Sequence, residues 1–312
     1  MAELIHFWEQ PKTPPAVMIA GWYQWADAGN ISSGLPEYLI KHGDARRIGE
    51  INPDGFYLFQ IPGTHHFLRP EVTLKDGQIA AMEHRSNNIY FSDQVNNGMA
   101  IFLGEEPHLD ADRYAQAFLD AAEALGVKRI AAVAGVYGSM PYDRERDVSC
   151  VFSLPAMQEQ LADYSVRFSE YQGGATIGTF IVDLAKQRGI EMVIFYAYVP
   201  AYDFSDQDEM VQGVRIDNDF KAWYELLRRI NRLYDLRMDL SQLEQYADDL
   251  VASMADKIAD LDRMMPELKV RDFMKKVDEE FTEKPYMPLD DIWEEELGDL
   301  LAGFDNGDNK ED

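Results

Sequence analysis

Short apolar runs bounded by turn-forming residues are the feature that most constrains the fold of this chain. Four such runs lie at residues 16–20, 99–103, 129–136 and 192–199. Nearly every position in them is apolar or small, without the alternation shown by a strand that has one solvent-facing side. A strand buried on both faces has this pattern, and it occurs in sheets that helices cover on two sides. The sequence therefore predicts a central sheet inside an α/β domain.

The segments between these runs carry the signals of covering helices. Residues 110–125 place apolar side chains on one helical stripe and stop at a glycine, and residues 176–187 follow a glycine pair. Residues 48–90 differ, because alternating aromatics and the pair Asp76-Gly77 indicate antiparallel hairpins attached to the sheet. Together these patterns predict a three-layer α/β/α sandwich with a mixed sheet.

The C-terminal third is predicted to be helical. Leucine, isoleucine, alanine and methionine recur every three or four residues across positions 240–265, which is typical of a coiled-coil-like seam. We therefore divide the chain into an α/β core at 1–215, a helical hairpin appendage at 216–285, and an acidic, partly disordered tail at 286–312.

Charge and composition narrow the classes of partner. The net charge is −27, and residues 236–312 contribute 23 acidic and 9 basic side chains, a net of −14. A surface this acidic repels phosphate backbones and anionic lipids, so we expect neither a nucleic-acid nor a membrane partner. Cys150 is the single cysteine, and we see neither a secretory signal nor a membrane-spanning apolar run. These features predict a cytoplasmic protein.

The stretch that follows the first predicted strand is the most distinctive candidate site. Residues 21–30 place two tryptophans and an aspartate between two glycines. Ligands collect beyond the carboxyl ends of strands in open α/β sheets, and a helix N-terminus there presents free N–H groups to an anion. The stretch is either an aromatic-walled pocket or a strand-to-helix turn whose tryptophans pack under neighbouring loops. It lacks the dinucleotide-binding glycine pattern.

Other strand ends at the same predicted edge supply further candidates. Glu105 and Glu106 are either polar contacts for a ligand or acidic residues that complement the dipole of the next helix. Gly173 and Gly174 either cradle an anion or form a plain helix-entry turn. We identify no catalytic residue, cofactor site or metal site. The candidate ligand-binding residues are Gly21, Trp22, Trp25, Asp27, Gly29, Glu105, Glu106, Gly173, Gly174 and Tyr202.

Several of these stretches, in this order, resemble the proteasome assembly chaperone 2 family in its bacterial branch. Residues 21–29 read Gly-Trp-x-x-Trp-x-Asp-Ala-Gly, and residues 103–107 resemble the family's Leu-Gly-x-Glu-Pro. Residues 171–178 are similar to its Tyr-x-Gly-Pro-Thr-Gly-Ile turn, from which Gly174 and Ala175 depart. Residues 197–202 resemble its Ala-x-Val-Pro-His-Tyr, with Ala201 in place of the histidine.

The resemblance implies a fold like that of the purine nucleoside phosphorylases and a homo-oligomer, with a trimer as one arrangement. Eukaryotic members chaperone assembly of the proteasome α ring, partly through a C-terminal hydrophobic-Tyr-x motif. This chain ends Lys310-Glu311-Asp312, which departs from that motif and argues against docking through it.

Two functions remain open at this point. The favoured one is a non-enzymatic assembly or interaction protein with an unidentified protein partner. The alternative is a protein or enzyme that binds a nucleoside, nucleotide or phosphate in a phosphorylase-like pocket. A pocket requires polar groups that converge from the strand ends, whereas a scaffold fills that edge with its own side chains.

Overall fold

The apolar run at residues 16–20 forms the core of a central strand in the computed structural model, which describes residues 4–59, 69–204 and 213–283. The strands in these residues are β1 (Ile5–Phe7), β2 (Val17–Tyr23), β3 (Arg46–Ile51), β4 (Glu71–Lys75), β5 (Gln78–Glu83), β6 (Asn88–Ser92), β7 (Met99–Glu105), β8 (Arg129–Gly138), β9 (Val148–Phe152), β10 (Arg167–Phe168), β11 (Glu191–Tyr202) and β12 (Val214–Arg215). The helices are α1 (Ile31–His42), α2 (Ala111–Ala124), α3 (Met157–Ala162), α4 (Ile177–Arg188), α5 (Phe220–Tyr234), α6 (Ser241–Met264) and α7 (Val270–Glu280).

Ten of the strands in the described part of the chain form one mixed sheet. Its order is β1-β3-β6-β7-β2-β8-β11-β9-β10, and β12 pairs with β11. The middle strands β7, β2, β8 and β11 run parallel to their neighbours in that group. Antiparallel strands flank this group on both sides. The four predicted apolar runs are these four parallel strands, whose carboxyl ends therefore meet at one edge.

Helices cover the sheet on both faces, as two-sided burial of its central strands requires. Odd-numbered positions of β2, such as Val17 and Ile19, pack with α1 and α5 on one face. Even-numbered positions, such as Met18 and Ala20, pack with α2 and α4 on the other. The predicted fold class is therefore confirmed. The likeness to purine nucleoside phosphorylases stays a prediction.

Helix α5 packs directly on the sheet, although the sequence predicted it as part of a helical appendage outside the α/β core. Leu226, Leu227 and Ile230 are fully buried and share a core with β2, β8 and β11. Its N-terminus is capped by Asp219, whose carboxylate accepts a hydrogen bond from the Ala222 amide at 3.0 Å. Helices α6 and α7 pack outside this layer. The domain boundaries at 215 and 285 stay predictions, and the tail at 286–312 lies outside the described residues.

The hairpin β4–β5 stands apart from the large sheet. Its strands pair only with each other among the described residues, across the turn at Asp76-Gly77. Every residue of both strands is exposed. The segment predicted to hold hairpins attached to the sheet thus divides into β3 and β6, which join the sheet, and this separate two-stranded unit.

Candidate functional site

Gly21 and Trp22 build the floor of the predicted site. A Cβ at Gly21 would overlap the carbonyl oxygen of Ser32 in α1, so only glycine lets the strand and helix approach this closely. The indole of Trp22 is buried against Phe102 and Phe118, and its Nε1 donates to the Tyr114 hydroxyl at 3.0 Å. Trp22 therefore belongs to the core between β2 and α2.

Asp27 holds the first turn of α1. Its carboxylate oxygens accept hydrogen bonds from the Ser33 amide at 2.9 Å and the Ser33 hydroxyl at 2.7 Å. Burial raises the pKa of Asp27 above its ordinary value, although the bonds from Ser33 act in the opposite direction. These contacts make Asp27 a positioning residue for the helix that follows β2.

Gly29 joins the same loop to α5. It has a φ of 62°, in the left-handed region that favours glycine. Its carbonyl oxygen accepts bonds from the Trp223 indole at 3.0 Å and the Asp219 amide at 3.0 Å. The turn at Gly29 is thus used for packing between β2 and α5.

Glu105, at the end of β7, is engaged by two side chains. It forms an ion pair with Arg85 and accepts a hydrogen bond from the Gln24 side-chain amide at 2.9 Å. Burial raises its pKa, while the Arg85 charge and the hydrogen bonds lower it. This carboxylate fastens the loop after β2 to the β7 end of the sheet.

The Glu106 side chain, which follows the end of β7, lies at the N-terminus of α4. Its Oε1 accepts a hydrogen bond from the Ile177 amide at 2.8 Å, a donor that the helix itself leaves free. Burial raises the pKa of Glu106 from 4.5 to about 7, and the bond from Ile177 only partly opposes this rise. The carboxylate of Glu106 therefore takes up a donor that an anionic ligand at this helix end would use.

The side chains around Glu106 leave little space. The cavity there measures about 10 Å³, which is room for one water molecule. Of the predicted site residues, the cavity brings together Trp22, Trp25 and Glu106. Its wall also includes Ala26, Ser32, Val133, Ala134, Thr176, Gly178, Ile194 and Tyr196.

The remaining predicted residues lie elsewhere. Gly173 and Gly174 are in the exposed loop before α4, where a Cβ at Gly173 would overlap the hydroxyl of Tyr171. Tyr202 is buried and donates its hydroxyl proton to the Met140 carbonyl at 2.8 Å. It lies six residues beyond Tyr196 on β11, a separation of about 20 Å along a strand.

Sequence reasoning missed a cluster of three hydroxyl groups beside this cavity. Thr176 caps α4 by accepting from the Thr179 amide at 3.0 Å, and the Thr179 hydroxyl lies 2.8 Å from that of Tyr196. A threonine three residues before another at a predicted helix start is a capping signal that could have identified the pair. Tyr196 sits within an apolar strand and gives no comparable signal.

A second feature that the sequence did not reveal is a buried ion pair between the loop before β9 and the N-terminus of α5. Arg146 and Asp219 are fully buried and joined by bonds of 2.8 and 3.1 Å. The amide of Arg146 also donates to the Glu225 carboxylate at 2.7 Å. Such a doubly bonded pair orients the layers and fits a structural role.

Exposed aromatic side chains rim the edge where the site lies. Trp25 is 59% exposed although it lines the cavity, and Tyr171 is 76% exposed in the loop that enters α4. Tyr137, near the end of the neighbouring strand β8, is also exposed. Tryptophan and tyrosine in such positions are characteristic of protein-binding surfaces.

Two further features of the described residues bear on function. They contain no group of three or more His, Cys, Asp or Glu side chains arranged to hold a metal ion. None of the helices in the described ranges combines the length and apolar character needed to cross a membrane.

Comparison with known proteins identifies the family. The model of the PAC2 family matches residues 22–258, which run from the end of β2 through the later strands and helices of the α/β core to most of α6. The chain belongs to the PAC2 family. The resemblance drawn from the sequence motifs is thereby confirmed. No curated protein matches this PAC2 chain.

Solved structures share the fold of this PAC2 protein. A Corynebacterium glutamicum protein of unknown function has a TM-score of 0.70 and 16% identity, covering 88% of this chain and 95% of its own. A Mycobacterium tuberculosis proteasome-assembly chaperone homologue has a TM-score of 0.66 and 22% identity, with coverages of 78% and 95%. Pyrococcus furiosus PbaB, an archaeal proteasome activator, has a TM-score of 0.56 and 18% identity, with coverages of 82% and 98%.

Proposed function

We propose that this PAC2 protein is a non-enzymatic interaction protein that binds a protein partner through the sheet edge carrying Trp25 and Tyr171. The observation that carries the proposal is that the carboxylates at that edge are already hydrogen-bonded or ion-paired within the protein. Asp27 is bonded to Ser33, Glu105 to Arg85, and Glu106 to the amide of Ile177. A small-molecule pocket needs such groups to converge on open space, whereas here they join structural elements to one another.

The exposed aromatics supply the binding surface in this proposal. Trp25 and Tyr171 flank the entry to α4, and both are more than half exposed. A tryptophan that becomes buried on association often contributes about 2 kcal/mol or more to binding, on the order of a thirtyfold change in affinity. Solved structures with this fold include a proteasome-assembly chaperone homologue and a proteasome activator, two descriptions that concern a protein complex. Cytoplasmic location and self-association are part of the same proposal.

Capture of partners by the full chain tests this function. Immobilised wild-type protein and the variant Trp25→Ser are compared in their ability to retain proteins from cells of the source organism, with retained proteins identified by mass spectrometry. Trp8→Ser is the matched control, because Trp8 is also half exposed but lies after the edge strand β1. We expect a defined partner with wild type and the control, and its loss with Trp25→Ser. Equal retention by all three proteins would refute the assignment to this edge.

One observation favours the alternative of an anion-binding or nucleoside-binding site. Glu106 has a pKa raised to about 7 beside a cavity, and perturbed carboxyl groups of this kind gather at functional sites. An anion at the N-terminus of α4 would have to displace the Glu106 carboxylate from the Ile177 amide, so its binding would strengthen as Glu106 takes up a proton. Calorimetric titration with inorganic phosphate at pH 6 and pH 8 tests this alternative. Tighter binding at pH 6, abolished in Ile177→Pro, would support it.

A further inference from the structure

The hairpin β4–β5 is amphipathic although it is exposed on both faces. Val72 lies opposite Met82, and Leu74 lies opposite Ile79, with exposures between 44% and 64%. A bulge in β5 at Ala80 brings Ile79 onto the same face as Met82, because the extra residue shifts the alternation by one. The four side chains consequently form one apolar stripe.

A two-stranded sheet of this kind is marginally stable in water, and a third strand is the usual remedy. The outer edge of β4 has no partner strand among residues 4–59, 69–204 and 213–283, and β4 contains no proline to block pairing. The outer edge of β5 is interrupted by its bulge, a device that discourages edge pairing. Within the described part of the chain, β4 is therefore the regular edge of the hairpin that lacks a partner strand.

The sequence of β4 is complementary to itself in antiparallel register. It reads Glu71-Val72-Thr73-Leu74-Lys75. When two copies pair about Thr73, Glu71 of each copy lies opposite Lys75 of the other, and Val72 lies opposite Leu74. Opposite charges and apolar pairs directly across two strands both stabilise a sheet. The opposite side of the hairpin lacks this property, because its β5 edge would place Gln78 opposite Glu83.

The charged residues within one hairpin also favour pairing through β4. Glu71 lies directly across from Glu83, a like-charged pair that destabilises an isolated hairpin. Among the described residues, Glu71, Glu83 and Lys75 form no ion pair. Antiparallel pairing of β4 places Lys75 of the second copy directly opposite Glu71, and its positive charge offsets part of the repulsion between Glu71 and Glu83.

We propose that β4 is a self-association edge, through which two copies of this chain form a symmetric four-stranded sheet in the order β5-β4-β4-β5. The contact is isologous, since the same strand is presented by both copies. It joins the two apolar stripes into one and places the two Thr73 residues on the two-fold axis. The inference names the surface for the self-association included in the proposed function, and it does not depend on partner binding at the sheet edge that carries Trp25.

A disulfide trap tests the register. Paired residues in an antiparallel sheet have Cα atoms about 4.5–5.5 Å apart, which is within the range of a disulfide. The only native cysteine, Cys150, is buried. On mild oxidation of the full chain we expect Thr73→Cys to form a covalent dimer. Ala81→Cys, on the same face of β5, is the matched control and should remain uncrosslinked. Crosslinking of Ala81→Cys in preference to Thr73→Cys would overturn the assignment to β4.

Charge reversal tests the pairing by sedimentation equilibrium. Lys75→Glu and Glu71→Lys should each weaken the dimer about tenfold, or about 1.4 kcal/mol, because two pairs become repulsive in each dimer. The double variant Glu71→Lys with Lys75→Glu restores both pairs and should recover wild-type affinity. Lys257→Glu, on the exposed face of α6, controls for net charge.

Glu71→Lys separates this proposal from its rivals most clearly. It makes an acidic chain less acidic and relieves the repulsion with Glu83, so either effect alone would leave self-association unchanged or strengthen it. Only the cross-copy pair with Lys75 predicts weakening. A protein that remains monomeric over the whole concentration series, or an oligomer that Glu71→Lys does not weaken, would refute the proposal.

Discussion

Replacing Glu106 with glutamine removes a half-buried charge without removing its hydrogen bond to the Ile177 amide. The side-chain oxygen of glutamine can still accept from the Ile177 amide, which Glu106 contacts at 2.8 Å. The substitution therefore mimics the protonated carboxyl group. Since burial raises the pKa of Glu106 from 4.5 to about 7, the folded protein holds this proton more tightly than the unfolded chain does.

The sign and size of the effect follow from that difference in pKa. The protonated Glu106 side chain contributes its full stability to the folded protein below pH 4.5. This contribution declines as the pH rises and is lost above about pH 7, where the carboxylate is ionised. Each pKa unit corresponds to about 1.4 kcal/mol, so the rise in pKa from 4.5 to about 7 makes the ionised carboxylate cost at most about 3.5 kcal/mol at pH 8. Glu106→Gln should therefore raise the melting temperature at pH 8 by about 5 °C, and by about 1 °C at pH 5.

Thermal unfolding followed by circular dichroism at pH 5, 6, 7 and 8 measures this dependence. Glu159→Gln, at an exposed position of α3, is the matched control and should change stability by less than about 0.5 kcal/mol at every pH. The reasoning fails if Glu106→Gln is equally stabilising at pH 5 and pH 8. It also fails if the variant is less stable than wild type at pH 8.

Three further predictions concern the residues that hold the layers together. Gly29→Ala should lower the free energy of unfolding by about 2–4 kcal/mol in urea denaturation, because φ is 62° there and the new Cβ would lie 2.8 Å from the Cβ of Asp219. Gly77→Ala is the matched control: φ is 80° there and nothing lies within 4 Å of the new Cβ, so it should lower the free energy of unfolding by only about 1 kcal/mol. Asp219→Ala should cost about 3–5 kcal/mol in the same assay, since it leaves the charge of Arg146 buried and unpaired, and a loss below about 1 kcal/mol would contradict a structural role for the pair. Burial raises the pKa of the Cys150 thiol to about 12, so at pH 8 it should react with a thiol reagent only after unfolding, and fast labelling of the folded protein would contradict this.

The sequence was sufficient to predict the central sheet because a strand buried on both faces has a continuous apolar run in its sequence. Residues 16–20, 99–103, 129–136 and 192–199 are apolar on both faces, and they are the parallel strands β2, β7, β8 and β11. The rule that parallel strands end at one edge also predicts that Trp22, Trp25 and Glu106 lie together, and all three line the same cavity.

Other features depended on contacts between residues that are distant in the sequence. The bond from Trp22 to Tyr114 spans 92 positions, and that from Ile177 to Glu106 spans 71. A sequence pattern reports the burial of each residue separately and carries no signal for such pairs. The same limit explains α5, which lies in the segment predicted to be helical, while its packing partner, the sheet, could not be predicted from that segment alone.

The most direct test of the central claim is a thermal-shift measurement of the full chain against nucleosides, nucleotides and inorganic phosphate. A ligand at a hundred times its dissociation constant adds about 2.7 kcal/mol of stability, which corresponds to a shift of several degrees. An interaction protein whose site is filled by its own side chains predicts no shift with any of these compounds. A reproducible shift with one of them, lost in Trp25→Ser and retained in Trp8→Ser, would contradict that account and establish a small-molecule site at the strand edge.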